Sequence, residues 1–272
     1  MQSYEDFLRE NGIEFFSSLP ISECKLTRPY LLQKTGDFVP RSVLMLLLPY
    51  YAGETKNISV YASARDYHLY TKHLLAELSD VLQNQYEGYR FYGFSDHSPI
   101  DERDAAVKAG LGVFGDNGLL INDCYSSFVF LCEVVSDLPS DAFGETRIVM
   151  PRKCEGCGAC KKACPTGILL GKSDLCLSAV TQKKGELTEE ERELILRTGS
   201  VWGCDICQEA CPYTKRAKEK GTLTTPIPFF REKRITELSE DILSEMSEEE
   251  FKERAFSWRG KEPLLRNLEI LK

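Results

Sequence analysis

The chain has 272 residues, 42% of them hydrophobic, and a formal charge of −8. That is length and apolar content enough for one large core or two smaller ones, and the acidic balance argues against a broad nucleic-acid surface. No uncharged apolar run reaches the ~18 residues of a membrane span, and the N-terminus, MQSYEDFLRENGIEFF, has no apolar signal-peptide core, so the expectation is a cytoplasmic protein without a membrane partner.

Residues 42–50 (SVLMLLLPY) form the near-continuous apolar run of a strand buried on both faces. Residues 57–62 read as a second strand, and 66–85 repeat apolar side chains at helical spacing (Leu69, Leu74, Leu78, Leu82). Residues 89–94 alternate as a strand. After them Ser98-Pro99-Ile100-Asp101 reads as a helix start, with Ser98 as N-cap, Pro99 at N1 and Asp101 at N3. Gly110, Gly112, Gly115 and Gly118 punctuate a turn-rich stretch that leads into a strand at 119–121, and a further strand at 127–135 completes a mixed sheet with helices packed on it. This makes residues 1–150 an α+β domain. Gly110-x-Gly112-x-x-Gly115 matches the dinucleotide-binding pattern literally, but it follows a helix rather than a strand and has no carboxylate placed about twenty residues on in a βαβ context. Tight turns or close backbone approach to a ligand explain these glycines better.

Eight of the eleven cysteines then follow as Cys154-x2-Cys157-x2-Cys160-x3-Cys164-Pro165, a lone Cys176, and Cys204-x2-Cys207-x3-Cys211-Pro212. A cubane cluster needs one thiolate at each of four irons, and in two-cluster ferredoxins the last cysteine of a C-x2-C-x2-C-x3-C-P run serves the other cluster. The spacing therefore assigns Cys154, Cys157, Cys160 and Cys211 to a first [4Fe–4S] cluster and Cys164, Cys176, Cys204 and Cys207 to a second. Zinc favours paired C-x2-C knuckles, disulfides need an oxidising compartment, and eight inert buried thiols would not be periodic. Residues 151–225 are thus a bacterial-ferredoxin-like two-cluster module, with a helix at 188–197 opened by a Thr188/Glu191 capping box. Residues 226–272 form a charged helical tail. Basic patches at Arg152-Lys153, Lys161-Lys162 and 215–220 flank the cysteines and suit either an acidic electron donor or plain solvation. Cys24, Cys124 and Cys132 lie outside the cluster motifs and read as small buried hydrophobes.

Several segments together resemble the epoxyqueuosine reductase family: YASARDYH (61–68), FSDHSPIDERDAAVKAGLGVFGDNGLLIN (94–122), SSFVFLCEVVSDL (126–138), the eight-cysteine array and PLLRN (263–267). The resemblance implies a cobalamin held base-off by the α+β domain and the cluster module, with electrons reaching cobalt through the clusters from a reduced ferredoxin or flavodoxin. It assigns Asp96 as the proton donor to the departing epoxide oxygen, and Asp96, Ile121, Cys132, Ser178, Thr181, Val201, Trp202 and Gly203 as corrinoid contacts. Without it, Asp96 reads as a cap of the Ser98-Pro99 turn. His68 and His97 lie in no D-x-H-x-x-G pattern and read as packing or hydrogen-bonding residues.

The chain departs from the family's G-x-G-W-x-G-K, reading Gly110-Leu111-Gly112-Val113-Phe114-Gly115-Asp116 so that Val113 and Asp116 stand where the tryptophan and the lysine are expected, and from I-S-Y-L-T-I-E at residues 177–183. Longer members also carry a C-terminal helical-repeat region that helps hold tRNA. The expectation is a cobalamin-dependent reductase acting on epoxyqueuosine in tRNA or on another substrate, with tRNA binding weak. The alternative is a two-cluster electron-transfer protein that docks a partner enzyme.

Overall fold

The computed structural model describes residues 2–33, 37–144 and 148–272. Met1–Pro49 with Tyr70–Gly156 form one compact unit, and Tyr50–Leu69 with Cys157–Lys272 a second. Compactness therefore does not divide the chain where its composition changes. Residues 50–69 and the charged tail both belong to the unit that holds most of the cysteine-rich segment.

In the first unit, strands β1 (Phe15–Pro20), β2 (Ser42–Pro49), β3 (Phe91–Ser95) and β6 (Val129–Ser136) form one sheet in the order β1-β2-β6-β3. The α+β class stands, but every pair in this sheet is antiparallel, where a mixed sheet was expected. All eight residues of β2 are buried, as its unbroken apolar run requires. Val43, Met45 and Leu47 share a core with Ala105, Ala106 and Val107 of helix α4 (Glu102–Lys108), and β6 adds Val135. Helices α1 (Tyr4–Glu10), α2 (Tyr30–Gln33) and α3 (Tyr67–Gln85) precede α4. A Cβ on Gly93 would fall 2.6 Å from the Leu75 Cβ, so only glycine lets β3 lie this close to α3. Strands β4 (Val113–Phe114) and β5 (Leu120–Ile121) pair as a small hairpin.

Two expected elements are built differently. Residues 57–62 are not a strand: they make a single parallel bridge, Ile58 to Trp202, and turn into a 3-10 helix at Val60–Ala62. The reason is that the Val60 amide donates to the Asp205 carboxylate at 2.6 Å rather than to a neighbouring strand. The helix expected from Ser98 begins instead at Glu102, with Asp101 as N-cap accepting from the Asp104 amide. Ile100 is held extended by its bridge to Leu26, and the Ser98 hydroxyl accepts from the Ile100 amide at 3.1 Å, so the chain enters α4 one turn later.

The second unit carries α5 (Ala159–Ala163), α6 (Leu177–Thr181), α7 (Glu189–Thr198), α8 (Ile206–Glu209) and α9 (Pro212–Lys220), followed by α10 (Glu240–Glu245), α11 (Glu248–Lys252) and α12 (Glu262–Ile270). The α7 capping box is present as read, Thr188 with Glu191. The tail packs rather than trails. Phe251, Phe256 and Leu264 share a core with Ile58, Val201 and Trp202, and the fully buried Asn267 donates to the carbonyls of Thr181 and Val201. Among the described residues no helix is long and apolar enough to cross a membrane.

Candidate functional site

In the second unit, the cysteines of the expected second cluster sense one another. Burial raises Cys204 to about 11, with the charges of Asp205, Cys176 and Cys164 adding to it. Burial raises Cys207 to about 12, followed by the charges of Cys204, Asp205, Cys176 and Cys160. Thiols gathered so closely resist ionising together unless iron supplies the compensating positive charge. Cys164 differs. Burial opposes its thiolate, but hydrogen bonds from the Thr166 hydroxyl and from the Thr166, Leu169 and Gly167 amides bring its pKa below the ordinary thiol value. Among the described residues no three His, Cys, Asp or Glu side chains are spaced for a single ion, whereas a cubane spreads its four ligands over four irons. The donor set fits a cluster.

Asp205, between Cys204 and Cys207, was not singled out by sequence reasoning. Its carboxylate accepts from the Ser59 hydroxyl at 2.7 Å, the Val60 amide at 2.6 Å and the Gln208 amide group at 2.8 Å. It thereby ties residues 59–60 to the start of α8. Asp205→Ala leaves three part-buried donors without their acceptor and is expected to cost roughly 2–4 kcal/mol of stability. Asp205→Asn, which keeps an acceptor, should lose less. Anaerobic chemical denaturation followed by circular dichroism measures both.

The resemblance's corrinoid contacts in this unit are largely committed to internal bonds. Trp202 donates from its indole to the Tyr61 hydroxyl at 2.9 Å and packs edge-on against Phe256. The Thr181 hydroxyl accepts from the Gly203 amide at 2.9 Å, and Ser178 receives Gln182. Val201 is fully buried. Gly203 has φ +72°, and a Cβ there would strike the Ser59 Cβ at 2.5 Å, which accounts for glycine.

In the first unit Cys154 is placed by a strand-like contact with β4. Its amide donates to the Phe114 carbonyl at 2.8 Å, and its sulfur accepts from the Asp116 amide at 3.4 Å. The glycines of 110–115 serve this turn. A Cβ on Gly112 would lie 2.5 Å from the Ile121 carbonyl oxygen, so the hairpin could not close with any other residue there. Ile121 is buried on β5, and Cys132 is fully buried on β6, its thiol 3.5 Å from the Ser95 hydroxyl. His97 lies 3.5 Å from the Tyr30 hydroxyl. In the second unit His68 bonds Asp66 at 2.9 Å. Both histidines are hydrogen-bonding residues, as their sequence setting suggested.

Asp96 sits at the end of β3, exposed, with φ +60°. The His97 amide donates to the Ser95 carbonyl at 2.7 Å across it, which makes Asp96 the centre of a γ-turn in the rarer, strained form. Aspartate is among the few residues that enter this region readily. The Asp96 amide bonds the Glu102 carboxylate, and the charge of Asp96 also reaches Glu133. Neither glutamate was singled out from sequence. A single acidic residue inside the run VFLCEVV (129–135) was the available signal for Glu133.

Residues 38–97 match the family model "Epoxyqueuosine reductase QueG, DUF1730", and residues 153–214 match "4Fe-4S double cluster binding domain". An epoxyqueuosine reductase of Leadbetterella byssophila is 32% identical over 243 residues, covering 85% of this chain and 77% of that protein. One from Lactococcus garvieae is 34% identical over 208 residues, covering 75% of this chain. The chain spans only 57% of the length of the latter, little more than half. A solved epoxyqueuosine reductase with a tRNA-Tyr epoxyqueuosine-modified stem loop shares the fold, with a TM-score of 0.78 at 23% identity over 98% of this chain and 79% of that one. By the extent and identity of the Leadbetterella match, the chain belongs to the epoxyqueuosine reductase family.

Proposed function

We propose that this chain is an iron–sulfur and cobalamin oxidoreductase that reduces epoxyqueuosine in tRNA, or a related epoxide. The observation that carries the reading is the γ-turn at the end of β3, which presents the exposed Asp96 carboxyl. A two-cluster electron carrier has no need of a carboxyl held in a strained turn, which favours the enzyme over that alternative.

Two electrons and two protons convert an epoxide to an alkene and water. Asp96 would deliver one of those protons to the departing oxygen, a general-acid role. Cys154, Cys157, Cys160 and Cys211 would hold one [4Fe–4S] cluster, and Cys164, Cys176, Cys204 and Cys207 the other. The corrinoid, when bound, supplies low-valent cobalt as the reductant of the substrate carbon. Asp96, Ile121 and Cys132 of the first unit and Ser178, Thr181, Val201, Trp202 and Gly203 of the second are its assigned contacts. The Trp202 indole and the Thr181 hydroxyl are bonded internally, and so are the Thr181, Val201 and Trp202 carbonyls and the Gly203 amide, so these positions would meet the corrinoid through packing. The proposed electron donor is a reduced ferredoxin or flavodoxin. The solved relative's stem loop supports tRNA as substrate, and with a net charge of −8 its binding here should be local and weaken steeply with salt.

The test is anaerobic reconstitution with iron, sulfide and cobalamin, reduction by flavodoxin, and incubation with an epoxyqueuosine-containing stem loop. Conversion to queuosine, read by mass spectrometry as loss of one oxygen atom, is the expected result. Retained corrinoid without conversion would redirect the search to another epoxide. Clusters without retained corrinoid would support the electron carrier.

A further inference from the structure

Behind the Asp96 turn, the first unit buries two more carboxyls. Glu133 is 0% exposed on β6, opposite Phe94 of β3 and Met45 of β2. Neither of its oxygens has a donor in hydrogen-bonding geometry, and the same holds for Glu102 Oε1 on α4. Leaving a carboxylate buried without a donor is costly enough that a carboxyl in this position takes up a proton instead. Among the described residues, Glu102 and Ser98 carry polar side chains that lie close enough to influence Glu133 without meeting it in donor geometry.

The surroundings supply little countercharge. Asp96 faces the pair from the end of β3 and Cys132 from β6, while Cys24 and Arg28 face it from the N-terminal segment. Lys108 of α4 is engaged by Asp104 at 2.9 Å and by the Glu23 carbonyl at 2.7 Å. Burial pushes Glu102 up to about 7, against the opposing pull of its hydrogen bond with Glu133. Burial and then the charge of Glu102 push Glu133 well above the carboxylate range. Glu133 is fully buried while Glu102 is only partly so, and the more deeply buried carboxyl keeps the proton, which makes Glu133 the donor.

We propose that Glu102 and Glu133 are positioning residues for Asp96. The buried Glu133 carboxyl keeps a proton and donates its hydrogen bond to the Glu102 carboxylate, and the one negative charge left on the pair, bonded to the Asp96 amide, fixes the acid turn and holds Asp96 in its proton-donating form. Like charge beside a carboxyl opposes its ionisation, so the pair does for Asp96 electrostatically what a dry pocket does for other catalytic acids. The inference rests on the reductase reading for its catalytic consequence, and on the burial of Glu133 without a donor, beside Glu102, for the shared proton.

Two near-isosteric variants separate these parts. Infrared difference spectroscopy of the anaerobic holoprotein at pH 7, in H2O and D2O, should show a protonated carboxyl band that disappears in Glu133→Gln and persists in Glu102→Gln. In the pH profile of kcat, Glu102→Gln removes the charge and should move the high-pH fall to lower pH by about one unit, an approximately tenfold loss on that side. Glu133→Gln leaves Glu102 charged and should keep the fall in place. A wild-type protein without a band lost on Glu133→Gln overturns the shared proton. A band behaving as described with an unmoved profile in Glu102→Gln overturns the coupling to Asp96. If the wild type reduces no epoxide at all, the reductase reading fails while the infrared result still decides whether the proton is shared.

Discussion

Cys176→Ala, purified anaerobically, is expected to carry about four iron atoms per chain in place of about eight, and to have lost turnover altogether. Cys176 precedes α6 as its N-cap residue in extended conformation, and its side chain makes no capping bond to the helix. Nothing in the local backbone therefore calls for a cysteine there. Its charge nevertheless registers at both Cys204 and Cys207. Replacing it leaves one cubane with three thiolates, while the set assigned to the other keeps all four. Iron and sulfide analysis with EPR after dithionite reduction measures the outcome. A count that stays near eight removes Cys176 from the ligand set, and Cys24→Ala, outside every motif, serves as the unaffected control.

Asp96→Asn should retain both clusters and its stability yet lower turnover by about 10²- to 10⁴-fold, the range for removing a general acid. Asparagine is the informative replacement because it also tolerates φ near +60°, so the γ-turn survives and only the proton is lost. Alanine would add roughly 1–2 kcal/mol of left-handed strain and confuse a moved loop with a missing acid. Single-turnover rates with pre-reduced enzyme isolate this step from electron delivery. An unchanged rate would remove Asp96 from the chemistry.

Legibility from sequence followed how local each determinant is. The β2 run and the Thr188/Glu191 box are each written in a handful of neighbouring residues and appear as read, and the equally local cysteine spacing lies in the segment that matches the double-cluster family model. The strand expected at 57–62 failed because its amide partner is a carboxylate far along the chain, Asp205. The helix start at Ser98 was displaced by a bridge to Leu26, again a partner that local propensity cannot see. Among the described residues strand β1, FFSSLP, pairs with β2 alone, and its two serines break the apolar alternation that would have marked it. The antiparallel order of the sheet was equally hidden, since β2 pairs with β6 across most of the domain. Of the acid site, Asp96 was reachable through resemblance, whereas Glu102 and Glu133 become partners only once α4 lies against β6.

The pairing of residues 57–60 with 201–205 also sets an order of events at the ribosome. Ser59 and Asp205 are 146 positions apart. The residues of the first unit end at Gly156, but residues 50–69 emerge early and must wait for partners in the second half of the chain. Such distant closure is slow and leaves apolar groups such as Ile58 and Val60 uncovered in the interval. Maturation of the cysteine-rich unit is therefore a late step in the life of the nascent chain. Iron offered before the Trp202 and Asp205 segment has been made would meet ligands without their scaffold, which places cluster insertion after that segment has emerged.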